Sequence, residues 1–136
     1  MGMVFNIQTI HTILYVENQG KSAEFYRHLL QKEPSLNLPG MTEFKMSDNF
    51  TLGIMPSQGI VDILHQNIPH PDTGKGIPRC ELYFYVDDLS KIFNHALSCG
   101  ATLISGIEER NWGDNVCYFS DYDGHIIAFA TKNDIK

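Results

Sequence analysis

The sequence predicts an α+β fold in which two βαβββ modules follow one another along the chain. The main observation is an internal repeat at an offset of 70 residues, in which residues 11–18 align with residues 81–88. In both copies a strand-like run ends in acidic or amide residues and is followed by apolar residues at helical spacing. Such a duplicated unit predicts two copies of one module that face each other across a shared cleft.

The first module is predicted over residues 7–56. A strand rich in β-branched residues over 7–16 precedes a helix over 21–30, for which Asn18 or Ser22 is the expected N-cap. Three short strands follow near residues 35–38, 42–46 and 51–55, and turn-forming residues separate them.

The second module is predicted over residues 80–132 and repeats this plan. A strand over 81–86 leads to Asp87 or Asp88 as the cap of a helix over 89–98, and Gly100 suits the position after the helix. Strands are expected near 102–105, 115–119 and 126–131, with a hairpin turn at 121–124. Residues 57–79, which are rich in proline and glycine, are interpreted as the connection between the modules, with a short helical turn near 61–65. We expect residues 1–136 to form a single domain.

Composition and charge exclude several classes of partner. The net charge of −6 argues against a nucleic-acid-binding protein, which would carry a basic face. No apolar run approaches the ~20 residues of a membrane span. Three unevenly spaced cysteines form no disulfide pattern, and no basic segment followed by an apolar core suggests a signal peptide, so we expect a cytoplasmic protein.

Several motifs together resemble the vicinal oxygen chelate superfamily, which contains glyoxalase I, the extradiol dioxygenases and the bleomycin-resistance proteins. They are the strand–Asp–Asp–helix opening at residues 85–88, the helix exit at 99–101, the turn at Trp112-Gly113, and the segment Asp121-Tyr122-Asp123-Gly124-His125. The last resembles the family's DPDG hairpin, with Tyr122 in place of the proline. The resemblance implies curved mixed sheets around a cleft, and homodimers are common among such proteins.

The same resemblance locates the positions at which metal-dependent relatives carry their ligands, on the first and last strands of each module. His11 and Glu81 match the first-strand positions, but Ala128 stands where the second module's glutamate is expected, and residues 51–55 contain no ligand type. Since a divalent ion needs about three or four converging ligands, we expect no metal cofactor. The alternative is Zn, Ni, Mn or Fe held by His11 and Glu81 with help from neighbouring histidines.

Without a metal, His11 is expected to be half-buried and hydrogen-bonded to Glu81 or to the backbone, with both residues on the floor of the cleft. Such a pair could contact a substrate or act as acid and base, so both are the candidate catalytic residues. His125 is expected to face solvent, and Asp121 and Asp123 are expected to stabilise the hairpin turn. The acidic stretch of Glu108, Glu109 and Asp114 is expected to be a solvated loop, or else to favour a cationic ligand.

These observations predict a small-molecule-binding protein that resembles the metal-free bleomycin-resistance members and forms a homodimer. The expected ligand is planar or hydrophobic, and a cation is one option. The residues expected to bind it are His11, Glu81, Trp112, Tyr118 and Phe44. Whether a reaction is catalysed stays open, because two alternatives remain: a metal-dependent lyase, isomerase or dioxygenase of the glyoxalase type, and a metal-free enzyme that uses His11 and Glu81.

Overall fold

The computed structural model describes residues 5–65 and 67–132, and its first half forms one βαβββ module. Strand β1 is followed by helix α1 and by strands β2, β3 and β4. The sheet order is β1-β4-β3-β2, in which β1 and β4 are parallel and the other pairs are antiparallel. The bounds are Ile10–Val16, Gln19–Leu30, Leu36–Leu38, Met41–Ser47 and Phe50–Pro56.

The second half repeats this arrangement with strand β5, helix α3 and strands β6, β7 and β8. The sheet order is β5-β8-β7-β6, and the outer pair β5 and β8 is again parallel. The bounds are Glu81–Tyr85, Leu89–Ser98, Thr102–Glu109, Asp114–Ser120 and Ile126–Lys132. The predicted α+β fold with two βαβββ modules is therefore confirmed.

Side-chain caps decide where the two main helices begin. The backbone N–H of Lys21 donates to Asn18 Oδ1 at 3.0 Å, so Asn18, and not Ser22, caps α1. The N–H of Lys91 donates to Asp88 Oδ1 at 3.1 Å, so Asp88 caps α3. Asn18 and Asp88 are equivalent positions at the 70-residue offset, which explains why the repeat is visible in the sequence.

The connection between the modules contains more regular structure than the sequence predicts. Helix α2, Ser57–Ile63, starts directly after β4, and a 3-10 turn covers Pro71–Gly74. The chain divides into two compact units whose boundary lies between Pro71 and Asp72, within the predicted connection, and the last turn of α1 is grouped with the second unit. The single-domain organisation stays a prediction. In the part of the chain that the structure describes, no helix is long and apolar enough to cross a membrane.

Burial alternates along β1, β3 and β5, whereas residues 51–55 of β4 and 127–130 of β8 are buried on both faces of their sheets. In the first sheet the buried face carries Leu14, Phe44, Leu52 and Ile54, all at most 2% exposed. In the second sheet, Phe119 lies 5.4 Å from Phe93 of α3 and 6.3 Å from Phe129, measured between ring centroids. The core of the second unit therefore lies between α3 and one face of its sheet.

The hairpin between β7 and β8 is more buried than expected. As predicted, Asp121 stabilises the turn, since its Oδ1 accepts the N–H groups of Asp123 and His125, both at 2.9 Å. The prediction that His125 faces solvent is wrong: the residue is only 4% exposed, and its Nδ1 lies 3.6 Å from Cys80 Sγ. The segment before β5 covers the turn, because Gly76 N–H and Arg79 Nη2 both donate to the carbonyl of Asp123.

Candidate functional site

The open face of the second sheet collects most of the predicted ligand-binding residues. Its base is the apolar cluster of Val116, Ala128 and Ala130, and Tyr83 and Tyr118 pack against this cluster. Alternation along β5 places Glu81, Tyr83 and Tyr85 on the same side. We call this surface the aromatic face, and its side chains are those of Glu81, Tyr83, Tyr85, Trp112 and Tyr118.

Asp114, the first residue of β7, joins two tyrosines of the aromatic face. The hydroxyl groups of Tyr83 and Tyr85 both donate to Asp114 Oδ2, at 2.6 and 2.7 Å. These hydrogen bonds lower the pKa of the Asp114 carboxyl, and the residue is only 3% exposed. The interpretation of Asp114 as part of a solvated loop is therefore wrong, because the carboxylate is used inside the sheet as a hydrogen-bond acceptor.

The same network holds Trp112 in place. The indole Nε1–H donates to the Tyr83 hydroxyl at 2.9 Å, while 57% of the residue remains exposed. Lys132 extends the network at the other end, since its Nζ donates to the Tyr85 hydroxyl at 3.1 Å and lies 4.5 Å from the centre of that ring. Because its N–H group is already bonded, the exposed surface of Trp112 is available mainly for stacking and apolar contact.

The hydrogen-bond network around Tyr83 predicts how the stability of the protein changes at alkaline pH. Burial, followed by the hydrogen bond to Asp114, raises the pKa of Tyr83 to about 12 from its ordinary value near 10. The folded protein therefore holds this proton more tightly than the unfolded chain, and stability is lost as pH rises through this interval. We expect urea unfolding to show a fall in stability between about pH 10 and 12 that is smaller in Tyr83→Phe. An equal fall in both proteins would contradict the assignment.

Tyr118 lies between groups of opposite charge. The guanidinium carbon of Arg110 is 5.1 Å from the centre of its ring. Burial raises the pKa of Tyr118, and the charge of Glu81 raises it further, whereas the charge of Arg110 lowers it. Tyr118 is therefore a half-buried ring on the aromatic face, as expected, with an acidic and a basic side chain in its neighbourhood.

In the first unit, His11 has a neighbour that the sequence analysis did not identify. Its Nδ1 lies 3.7 Å from Oε2 of Glu43, which is located on β3 across the intervening strand β4. The two side chains form an ion pair only when the imidazole is protonated. His11 therefore has an acidic partner within its own unit, and its predicted pairing with Glu81 stays a prediction.

Phe44 does not take the predicted place in a ligand wall. It is fully buried and, by alternation on β3, lies on the opposite face of the first sheet from Glu43. Its register partner on β4 is Leu52, which is also fully buried. We therefore correct its assignment from a ligand-binding residue to a core residue.

The expected absence of a metal cofactor stays a prediction. In residues 5–65 and 67–132, no three His, Cys, Asp or Glu side chains converge in a way that could hold one. On the second sheet the Cα register partner of Ala128 in β5 is Tyr83, and in the first sheet the Cα register partner of Ile13 in β4 is Gly53. The last strands therefore supply a methyl group and a hydrogen where metal-dependent relatives are expected to have ligands.

The chain was compared with protein families, curated proteins and solved structures. The glyoxalase-like domain family matches residues 9–132, while the curated proteins give no significant match. A glyoxalase-related enzyme from Fulvimarina pelagi is 19% identical, with a TM-score of 0.76 and coverage of 93% of this chain and 89% of that one. A glyoxalase/bleomycin resistance protein/dioxygenase from Nocardioides is 15% identical, with a TM-score of 0.78 and coverage of 99% and 89%.

A family enzyme of the same description from Burkholderia phytofirmans is 14% identical, with a TM-score of 0.75 and coverage of 90% and 96%. At these identities the structures establish the shared fold alone. The family match is stronger evidence, because it spans both βαβββ modules from β1 to β8. This chain therefore belongs to the glyoxalase-like domain family, within the vicinal oxygen chelate superfamily.

Proposed function

We propose that this protein binds a planar or hydrophobic small molecule on the aromatic face, as a metal-free member of the bleomycin-resistance type. The observation that carries the proposal is the exposed indole of Trp112 held by the part-buried hydrogen bond between Tyr83 and Asp114. A large apolar side chain left exposed and held by a hydrogen bond is typical of a surface prepared for a ligand. The apolar base of Val116, Ala128 and Ala130 extends that surface.

The charges on the face limit which ligands fit. Asp114 is engaged by two phenols, so it does not act as a free carboxylate for a cation. Glu81 is exposed, and in our proposal it is one group that would meet a cationic ligand. Preference for a cation therefore depends on Glu81 and on Glu108, the exposed register partner of Val116, while stacking on Trp112 and Tyr118 supplies affinity for any planar compound.

Fluorescence of Trp112, the only tryptophan, tests this proposal directly. We expect saturable quenching by at least one compound from a panel of planar cationic, neutral and anionic molecules. Calorimetry with that compound should show that Trp112→Leu weakens binding about tenfold, in line with the loss of a stacked aromatic contact and its buried area. Tyr122→Leu is the matched control, since Tyr122 is an exposed aromatic residue in the hairpin outside the aromatic face, and its binding should be unchanged.

The absence of any saturable response across the panel would remove the proposal. A metal-dependent enzyme of the glyoxalase type is the alternative, and calorimetry with Ni²⁺, Zn²⁺, Mn²⁺ and Fe²⁺ separates the two. Tight one-to-one binding that His11→Ala or Glu81→Gln abolishes would favour the enzyme. For a metal-free enzyme, turnover that is lost in Glu81→Gln with ligand binding retained is the required result.

We further propose a cytoplasmic homodimer. The three cysteines are free, which fits a reducing compartment. Sedimentation at several protein concentrations tests the oligomeric state, and a monomer at every concentration would contradict it.

A further inference from the structure

Arg110 is a basic side chain directed over the aromatic face. It follows β6, and its backbone N–H donates to the carbonyl of Asp114 at 2.8 Å, so it begins the turn that carries Trp112. Its guanidinium then reaches back over the ring of Tyr118. The side chain is half-buried, which places a permanent positive charge next to the proposed stacking surface.

The hydrogen bonds of Arg110 use only one of its three nitrogens. Nη2 donates to Ser105 Oγ, to the Gly106 carbonyl and to the Val116 carbonyl, at 3.1, 3.1 and 3.0 Å. Nε is buried and has no hydrogen-bond partner among the described residues. Nη1 also makes no hydrogen bond to residues 5–65 or 67–132, and since it is not buried, it is open to solvent. An unsatisfied buried donor in a folded protein calls for a specific explanation.

No carboxylate neutralises this guanidinium within the part of the chain that the structure describes, since the ion pairs there involve other residues. Asp114, whose backbone carbonyl accepts the Arg110 N–H, does not neutralise the guanidinium either, because its Oδ2 already accepts from two phenols. Glu81 on β5 and Ser120 on β7 both pair with Ile126 of β8, so Glu81 lies level with the end of β7. Arg110 is hydrogen-bonded to Asp114, which is the first residue of β7. Tyr118 lies between the two ends of β7, so the acidic and basic groups flank the ring from opposite ends.

We propose that Arg110 is the anion-binding residue of the aromatic face and that the ligand carries a carboxylate beside its planar ring. This inference rests on the proposed function and names its ligand class. The carboxylate meets Nη1 from solvent, and the ring lies against Trp112 and Tyr118. A guanidinium suits this role because its charge is permanent and already partly desolvated, and because Nη1 keeps N–H donors for a carboxylate while Nη2 is held by the protein.

A pair of matched probes tests the inference by calorimetry: 1-naphthoate and 1-naphthamide, which share the ring and differ in charge. We expect the wild-type protein to bind 1-naphthoate about tenfold more tightly than the amide, with the difference reduced by added NaCl. Arg110→Met should bring the two affinities within about twofold of one another by weakening the acid alone. Lys91→Met is the matched control, because Lys91 is an exposed cation on α3, and its substitution should preserve the preference.

Equal binding of the two probes by the wild-type protein would overturn this inference and leave the proposed function standing. Failure of both probes to bind would also overturn this inference, whereas the proposed function is decided by the full panel of planar compounds. Full preference in Arg110→Met would mean that the guanidinium only ties β6 to β7. Should that variant fail to fold, Arg110→Gln decides, since a glutamine keeps a hydrogen-bond donor but removes the charge: most of the preference should be lost, and its full retention would contradict the inference.

Discussion

Replacing Phe44 by alanine should lower the free energy of unfolding by about 3–5 kcal/mol, the usual cost of removing a fully buried phenylalanine. The ring is 0% exposed and its neighbours on the buried face, such as Leu52, cannot fill the space without moving. Urea unfolding measures the change. The result matters for the site as well as for stability, because Phe44 was expected from the sequence to bind the ligand.

Phe5→Ala is the matched control for this experiment. Phe5 is 76% exposed, so the same truncation there should change stability by less than about 0.5 kcal/mol. A ligand-wall residue would behave differently from a core residue: Phe44→Ala would leave stability nearly unchanged and weaken ligand binding. That outcome would reverse the assignment of Phe44 to the core.

The second large effect is expected at Gly124, in the hairpin between β7 and β8. Its φ of +91° is a conformation that costs other residues about 1–3 kcal/mol. A Cβ atom there would also lie only 2.7 Å from the backbone Cα of Gly76, so the segment before β5 would have to move. We expect both effects, the backbone conformation and the close contact, to destabilise Gly124→Ala. This variant should lower the thermal midpoint more than any other Gly→Ala change at a positive φ in the described chain.

Gly76→Ala separates the two contributions. Gly76 has a φ of +85°, but a Cβ added to it would meet nothing within 4 Å. Both variants are therefore destabilised by the unfavourable backbone conformation, and only Gly124→Ala is also destabilised by the close approach of the two segments. Equal destabilisation of the two variants would show that the hairpin and the segment before β5 do not pack as the structure describes.

Local patterns were sufficient to locate most of the elements. Strands β3, β4, β7 and β8 extend the predicted ranges by one or two residues, and α3 spans the predicted residues 89–98. Caps, turn residues and strand alternation involve neighbours within a few positions, so the sequence displays them directly. The sequence predicted a helical turn near residues 61–65, whereas helix α2 covers residues 57–63. The start was missed because these residues have neither a capping side chain nor a strong apolar stripe.

The contacts that build the candidate site could not be predicted from local sequence patterns. Tyr83 and Asp114 are 31 residues apart, and His11 and Glu43 are 32 apart on strands separated by β4. Their meeting depends on strand order and register, and a slip of one residue would turn each side chain to the other face. Alternation on β5 could have placed Tyr83 and Tyr85 on one face, but no local signal identifies the carboxylate that joins them.

The sequence by itself determined that this protein contains two related βαβββ modules, that Trp112 and Tyr118 are candidates for ligand contact, and that Ala128 stands at a ligand position of metal-dependent relatives. Tertiary structure decided that Phe44 is buried, that Asp114 anchors the tyrosines holding Trp112, and that Arg110 lies over Tyr118 with Nε unsatisfied. The physical reason is that secondary structure follows from interactions between near neighbours, whereas burial and charge pairing follow from which distant strands lie side by side.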